Sequence, residues 1–209
     1  DCDFTQVNGA PNPTLTTSTK ELFDLVKANN HTLGLAVDGD ADRFGIIDFG
    51  GKAYDANDMI ALLAFFLRKE ISLTGAVGKT VATTNFVNAV AEYLGLEVIE
   101  KAVGFKWFVE MAGEESAHVG IGPFMQSWDD GIVIGIISFW IIARTGKTIG
   151  QYKEQVEQEI GKKFFIRTHT IRGKDDSIKT GANTLIRQAN DELNAGVQKT
   201  DTSIARQLE

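Results

Sequence analysis

An apolar run from Thr32 to Val37 and another from Phe44 to Phe49 flank six residues, Asp38-Gly39-Asp40-Ala41-Asp42-Arg43, that place carboxylates at alternate positions. Each run has strand length, so the segment reads as two buried strands with an acidic loop between them. Three aspartates massed at the end of an apolar strand repel one another unless a cation lies among them. Alternate positions in a tight turn can face one side and offer a hard cation several oxygen ligands. The competing reading, an acidic surface turn, leaves that repulsion uncompensated.

Several known loops are excluded by position. A calcium EF-hand loop needs Gly at its sixth residue and Glu at its twelfth; counted from Asp38, these positions hold Arg43 and Phe49. The Asp-x-Asp of haloacid-dehalogenase phosphatases continues to Thr or Val where Asp42 stands. Gly78-Lys79-Thr80 and Gly146-Lys147-Thr148 look like P-loop endings, but Leu73 and Ile141 occupy the positions that need the leading Gly.

The remaining chain alternates short apolar runs with helical spacings, the pattern of an α/β protein. Thr17 to Asn29 spaces Leu22, Phe23, Leu25 and Val26 as a helix does. After a turn at Gly50-Gly51, Asn57 or Asp58 can cap a helix running through Leu67. A strand from Ala76 to Thr83, a helix from Asn85 to Leu94 stopped by Gly95, and a strand from Glu97 to Glu100 imply a crossover and parallel strands. Then follow a turn at Val103-Gly104, a Gly-rich stretch from Gly113 to Gly122, an apolar helix from Gly131, an amphipathic helix from Ile149 to Ile160, and a strand from Phe164 to Arg172. The polar tail from Gly173 reads as helical or partly disordered.

Composition narrows the partners. With 209 residues and 43% hydrophobic content the chain can bury a substantial core. Acidic residues outnumber basic ones by 28 to 21, a net charge of −7, so no nucleic-acid surface is expected. Gly131 to Ala143 is shorter than the roughly 18 apolar residues that suggest a membrane span, so a buried helix and no membrane role are expected there. A single cysteine, Cys2, and the lack of a charged-then-apolar leader suggest a cytoplasmic protein.

Candidate ligands outside the acidic loop cluster downstream. Glu114 and Ser116 lie two apart in a Gly-flanked loop, where a carboxylate can accept from a pair of sugar hydroxyls and a hydroxyl can donate or accept; a solvated loop is the rival reading. His118 can serve as general acid or base or contact a phosphate, or be a surface histidine. Arg43 can neutralise a phosphoryl group or pair with the neighbouring aspartates. Lys106 can contact a phosphate or be an exposed loop lysine. His31 and His169 fall outside every motif and read as structural.

The string LGLAVDGDADRFGIID, Leu33 to Asp48, resembles the metal-binding segment of the α-D-phosphohexomutases nearly residue for residue. VGFKWF, Val103 to Phe108, resembles a loop of that family's third domain, and GEESAHV, Gly113 to Val119, resembles its sugar-recognition loop. Asp129-Asp130-Gly131 before an apolar helix fits as well. The resemblance implies two three-layer α/β/α domains with mixed sheets: residues 1–73 as part of the second domain, 74–172 as the third, and 173–209 as the tail. It implies magnesium (Mg2+) on Asp38, Asp40 and Asp42, substrate contacts from Gly104, Lys106, Glu114 and Ser116, and catalytic roles for Arg43 and His118. The implied reaction moves a phosphoryl group between the 1- and 6-positions of a hexose phosphate, through a phosphoserine and a hexose bisphosphate. Gly104-Phe105-Lys106 resembles the phosphoglucomutase version, which points to glucose phosphate. Phosphomannomutase or phosphopentomutase specificity and a non-catalytic binding fragment are the alternatives. The family's Thr-x-Ser-His-Asn-Pro loop and Arg-x-Ser-Gly-Thr phosphate loop do not occur in the chain, so the chain alone is expected to be inactive. The link at Val109–Ala112 is shorter than the helix and strand the family places before the Gly-Glu-x-Ser loop.

Overall fold

The computed structural model describes residues 11–29, 33–102, 111–122, 124, 129–170 and 200–205. The chain divides into two compact units, Asp1–Gly161 and Lys162–Glu209.

In the first unit, β1 (Leu33–Val37) and β2 (Phe44–Asp48) form an antiparallel hairpin in which Val37 faces Phe44 across the acidic loop. Gly50 and Gly51, both with φ near +80°, turn the chain into β3 (Lys52–Tyr54), which completes the three-stranded sheet β1-β2-β3. A left-handed backbone favours glycine there, because a Cβ clashes with the carbonyl. Helix α1 (Lys20–Ala28) packs on this hairpin.

Helix α2 (Ala56–Ile71) is the centre of the core: every residue from Met59 to Leu67 is buried. Burying a Leu, Phe or Met side chain contributes roughly 1.5–3 kcal/mol, so tertiary burial, and no amphipathic stripe, holds this helix. Its cap is Asp55, whose side chain accepts from the Asp58 amide, and neither Asn57 nor Asp58. Asn57 lies inside the helix with 2% exposure, and its Oδ1 accepts from the Thr84 amide at 2.9 Å. Helix α2 packs on α3 (Asn85–Leu94), α5 (Ile149–Ile160) and β6 (Met111–Gly113), all within the first compact unit.

The second sheet has the order β5-β4-β6-β7. Strand β4 (Val77–Thr80) runs parallel to β5 (Val98–Lys101) through helix α3, as the strand, helix and strand pattern required. β4 ends before the expected Thr83, because the Thr83 amide turns back onto the Thr80 carbonyl at 3.0 Å. The Gly-rich stretch is not all loop: β6 pairs parallel with β4, and β7 (Val119–Ile121) returns antiparallel beside β6. A strand therefore does lead into the Glu114 loop, despite the short link; Val109 and Glu110 lie outside the described residues. The architecture is α/β with a mixed sheet.

Helices α4 (Gly131–Thr145) and α5 complete this unit. Thr148 and Gln151 form a reciprocal capping box at the start of α5. The helix expected to be buried is buried along one face: Ile134, Ile137 and Ile141 are buried, whereas Ile136 is 61% exposed and Ile132 and Phe139 about half exposed. Only one face of α4 meets the sheets, and Gly135 is there because a Cβ would lie 2.3 Å from the Leu35 side chain. Among the described residues no single helix is long and apolar enough to cross a membrane.

In the second unit, β8 (Phe165–Thr170) pairs parallel with β9 (Thr200–Ala205). Part of the tail expected to be helical or disordered is thus a strand. The tail positions with helical spacing, from Ile178 to Leu193, lie outside the described residues.

Candidate functional site

The acidic loop closes on itself. Asp38 follows β1 directly with 8% exposure; its Oδ1 accepts from the Arg43 amide at 3.2 Å and its Oδ2 from Arg43 Nε. Ala41 takes a left-handed φ of 61°, which turns the chain sharply between Asp40 and Asp42. The outcome is that Asp38, Asp40 and Asp42 each bring a carboxylate oxygen within 4.8 Å of the others.

Helix α4 supports this loop from behind. The Gly131 amide donates to the Ala41 carbonyl at 2.8 Å, and a Cβ at Gly131 would lie 2.4 Å from the Arg43 carbonyl oxygen. Asp130 caps the helix by accepting from the Ile132 and Val133 amides. Asp129, just before it, joins Asp42 and His118 in a second group whose ligand atoms lie within 4.8 Å of one another.

The Glu114 loop spans the turn between β6 and β7. The Glu114 amide donates to the His118 carbonyl at 2.9 Å, the Ala117 amide to the Glu114 carbonyl at 3.1 Å, and Ala117 adopts a left-handed φ of 74°. Ser116 Oγ lies 3.1 Å from Glu114 Oε2 and 2.9 Å from His118 Nδ1. An ionised carboxylate only accepts, so the Ser116 hydroxyl donates to Glu114 and His118 Nδ1 carries the proton that reaches Ser116 Oγ.

Arg43 and His118 form an isolated antiparallel bridge, which brings the two loops together. His118 Nε2 lies 3.4 Å from Asp42 Oδ2. The structure thus unites Asp38, Asp40, Asp42, Arg43, Glu114, Ser116 and His118 in one place; Gly104 and Lys106 lie outside the described residues.

Electrostatics separates the aspartates. Burial pushes the Asp38 carboxyl up, but the Arg43 side-chain and backbone hydrogen bonds outweigh it and hold the group below its ordinary value. Asp42 is raised, first by burial and then by the charges of Asp38, Asp40 and Asp129, against the pull of His118. Asp129 is raised by burial and by Glu114 and Asp40. A crowd of carboxylates with one arginine committed to one of them fits a divalent cation held by Asp38, Asp40 and Asp42.

Two residues of this neighbourhood have weak sequence signals. Asp129 stands out only within the Asp-Asp-Gly that precedes a helix, a pattern that a simple cap explains equally well. Glu115 has no role in the sequence reading beyond its place in the Glu114–Ser116 loop, yet its Oε2 accepts from Thr80 Oγ1 at 3.0 Å.

An α/β frame thus sets a three-aspartate hairpin loop against a Glu-x-Ser-x-His turn. Residues 55–160 match the pattern described as phosphoglucomutase/phosphomannomutase, alpha/beta/alpha domain III, and residues 1–51 match domain II of the same family. The chain belongs to the α-D-phosphohexomutase family and represents its middle domains. It is 31% identical over 163 residues to a phosphoglucomutase from Komagataeibacter xylinus, covering 71% of this chain and 28% of that protein. It is 32% identical over 151 residues to a phosphoglucosamine mutase from Burkholderia mallei, covering 67% of this chain and 32% of the relative. A structure assigned to the phosphomannomutases, from Thermus thermophilus, superposes with a TM-score of 0.66 at 28% identity, covering 72% of this chain and 36% of that one. The phosphoglucomutase parafusin from Paramecium shares the fold, with a TM-score of 0.62 at 22% identity, covering 88% of this chain and 34% of that one. The chain spans about a third of the length of these relatives.

Proposed function

We propose that this chain forms the metal- and sugar-binding centre of a hexose-phosphate mutase, with glucose phosphates as substrates. The observation that carries the proposal is the convergence of the two loops: Arg43 bridges to His118, and His118 Nε2 stands 3.4 Å from Asp42. A site for one sugar phosphate needs cation, hydroxyl and phosphate contacts within a single small volume, and this meeting of loops supplies groups for all three.

Magnesium held by Asp38, Asp40 and Asp42 would neutralise phosphoryl oxygens. Arg43 Nε is committed to Asp38, which fixes the guanidinium and leaves its Nη groups to meet a phosphoryl oxygen as charge develops. Glu114 accepts from sugar hydroxyls, with Ser116 as the adjoining polar contact. His118 Nδ1 is fixed by Ser116, so Nε2 is the position at which it exchanges a proton with the substrate. Lys106 and Gly104 complete the substrate contacts in this reading.

The transferring serine is supplied by a segment with the family's Thr-x-Ser-His-Asn-Pro pattern, which these 209 residues do not contain. The test is calorimetric and kinetic. The chain should bind magnesium weakly, and Asp40→Ala should abolish that binding. It should not convert glucose 1-phosphate to glucose 6-phosphate by itself. Tight magnesium binding that survives Asp40→Ala, or turnover by the pure chain, would overturn the proposal.

A further inference from the structure

The Glu114 turn is held by two sets of contacts. In one, Ser116 bonds to both His118 and Glu114. In the other, Glu115 reaches to β4. The β4–β6 register pairs Lys79 with Gly113, so Thr80 stands level with the first residue of the turn. Thr80 is completely buried; its Oγ1 lies 3.0 Å from Glu115 Oε2 and 2.9 Å from Thr83 Oγ1.

A hydroxyl has one proton and an ionised carboxylate has none. Thr80 therefore donates to Glu115, and the Thr83 hydroxyl, 3.4 Å from the Gly113 carbonyl, has Thr80 Oγ1 at 2.9 Å as its nearer acceptor. The segment carrying Thr83 is itself fixed: the Thr84 amide donates to Asn57 Oδ1 at 2.9 Å, and the buried Lys79 Nζ donates to the Thr83 carbonyl at 3.0 Å and pairs with Glu100 at 3.1 Å. A line of buried polar groups thus runs from α2 through residues 83 and 80 to Glu115. Buried polar groups are costly unless paired, and fully paired networks specify one arrangement. The left-handed Ala117 gives this turn a conformation that needs such outside constraint.

We infer that Glu115, anchored by Thr80, is a positioning residue that holds Glu114 and Ser116 in their sugar-binding arrangement. This rests on the reading of the Glu114 loop as the sugar site. No part of the mutase chemistry uses Thr80, Thr83 or Glu115 directly.

The test uses the 209-residue chain with Thr80→Val, Thr80→Ser and Glu115→Ala, and with Glu114→Ala as the control for the sugar site. Two quantities are read: hydrogen exchange at the Glu114 and Ala117 amides by NMR, and glucose 1-phosphate affinity by calorimetry. Thr80→Val and Glu115→Ala should speed exchange at both amides and weaken glucose 1-phosphate by about tenfold, the scale of a lost hydrogen bond to a charged group. Thr80→Ser, which keeps the hydroxyl, should restore both, and magnesium affinity should stay at the parent level in all three. Unchanged exchange in Glu115→Ala overturns the inference; because Glu115 is a half-buried loop residue, that variant carries the test even where Thr80→Val fails to fold. If Glu114→Ala weakens the sugar and the Thr80 and Glu115 variants do not, the positioning inference alone fails. If exchange responds but Glu114→Ala leaves sugar affinity unchanged, the sugar-site reading fails and the anchoring of the turn stands.

Discussion

The two loops of the site are built in opposite ways. The Asp38–Arg43 loop is locally closed: Asp38 bonds both the amide and the guanidinium of Arg43, five residues on, across the end of a hairpin. The Glu114–His118 loop has its own turn bonds, but it is also bonded through Glu115 to Thr80, which is 35 residues away in sequence. The difference teaches that a ligand set drawn from neighbouring residues can be closed by the loop itself. The Glu114 loop, proposed above as the sugar contact, draws instead on a neighbouring strand.

The largest expected effect separates the loops by ligand. Asp38→Ala removes both a proposed cation ligand and the acceptor that closes the hairpin, so magnesium affinity should fall by about 100-fold or more, since even outer partners of a metal site cost roughly 10–100-fold. Glu114→Ala should leave magnesium affinity within about twofold, because Glu114 is not one of the three proposed cation ligands. Calorimetry giving equal losses for the two variants would break the comparison, because the loops would then act as one unit.

A second effect concerns the support from α4. Gly131→Ala forces a methyl group against the Arg43 carbonyl, 2.4 Å from where its Cβ would stand. Overpacking of this kind costs about 1–3 kcal/mol, readable as a lower urea midpoint. Magnesium affinity should fall with it, while the exchange rates of the Glu114 and Ala117 amides stay near those of the parent. Equal disturbance of both loops would show that α4 supports more than the hairpin.

The smallest effect lies in pH. Asp42 is raised by burial and by Asp38, Asp40 and Asp129, so it takes up a proton above the ordinary aspartate value of about 3.9. On acidification through that window the metal-free native chain binds a proton that the unfolded chain does not, so the Asp42 contribution favours the native state at low pH and is lost as pH rises through its folded value. Magnesium affinity should move the other way, weakening as pH falls. Asp38 is held low and stays ionised. Calorimetry on Asp42→Asn across the same range should show a flatter pH dependence than the parent; an unchanged profile would assign the titration elsewhere.

Much of the fold is legible in the sequence. The apolar runs around Asp38–Arg43 mark the β1–β2 hairpin, and Asn85–Leu94 with Gly95 marks α3 and its left-handed stop. What is not legible has identifiable reasons. Asp55 does not stand out as the α2 cap because Asn57 and Asp58 have equally good capping chemistry, and only the backbone decides which side chain reaches an amide. The strands β6 and β7 read as loop because each is too short to show alternation, and the pairing of β6 with β4 is long-range. The apolar sequence of α4 suggests a buried helix, but composition does not fix which faces acquire neighbours.

The sequence by itself determined the acidic loop, because its carboxylates are close neighbours in the chain and their mutual repulsion is a property of spacing alone. It also determined the family, through motifs short enough to read in line. Only the tertiary structure decided that Arg43 would bridge to His118, that Asp129 would join Asp42, and that Thr80 would anchor Glu115. Those contacts join residues far apart in the chain. Which of many chemically acceptable partners is chosen is set by strand register and helix packing, and neither is written in any single segment.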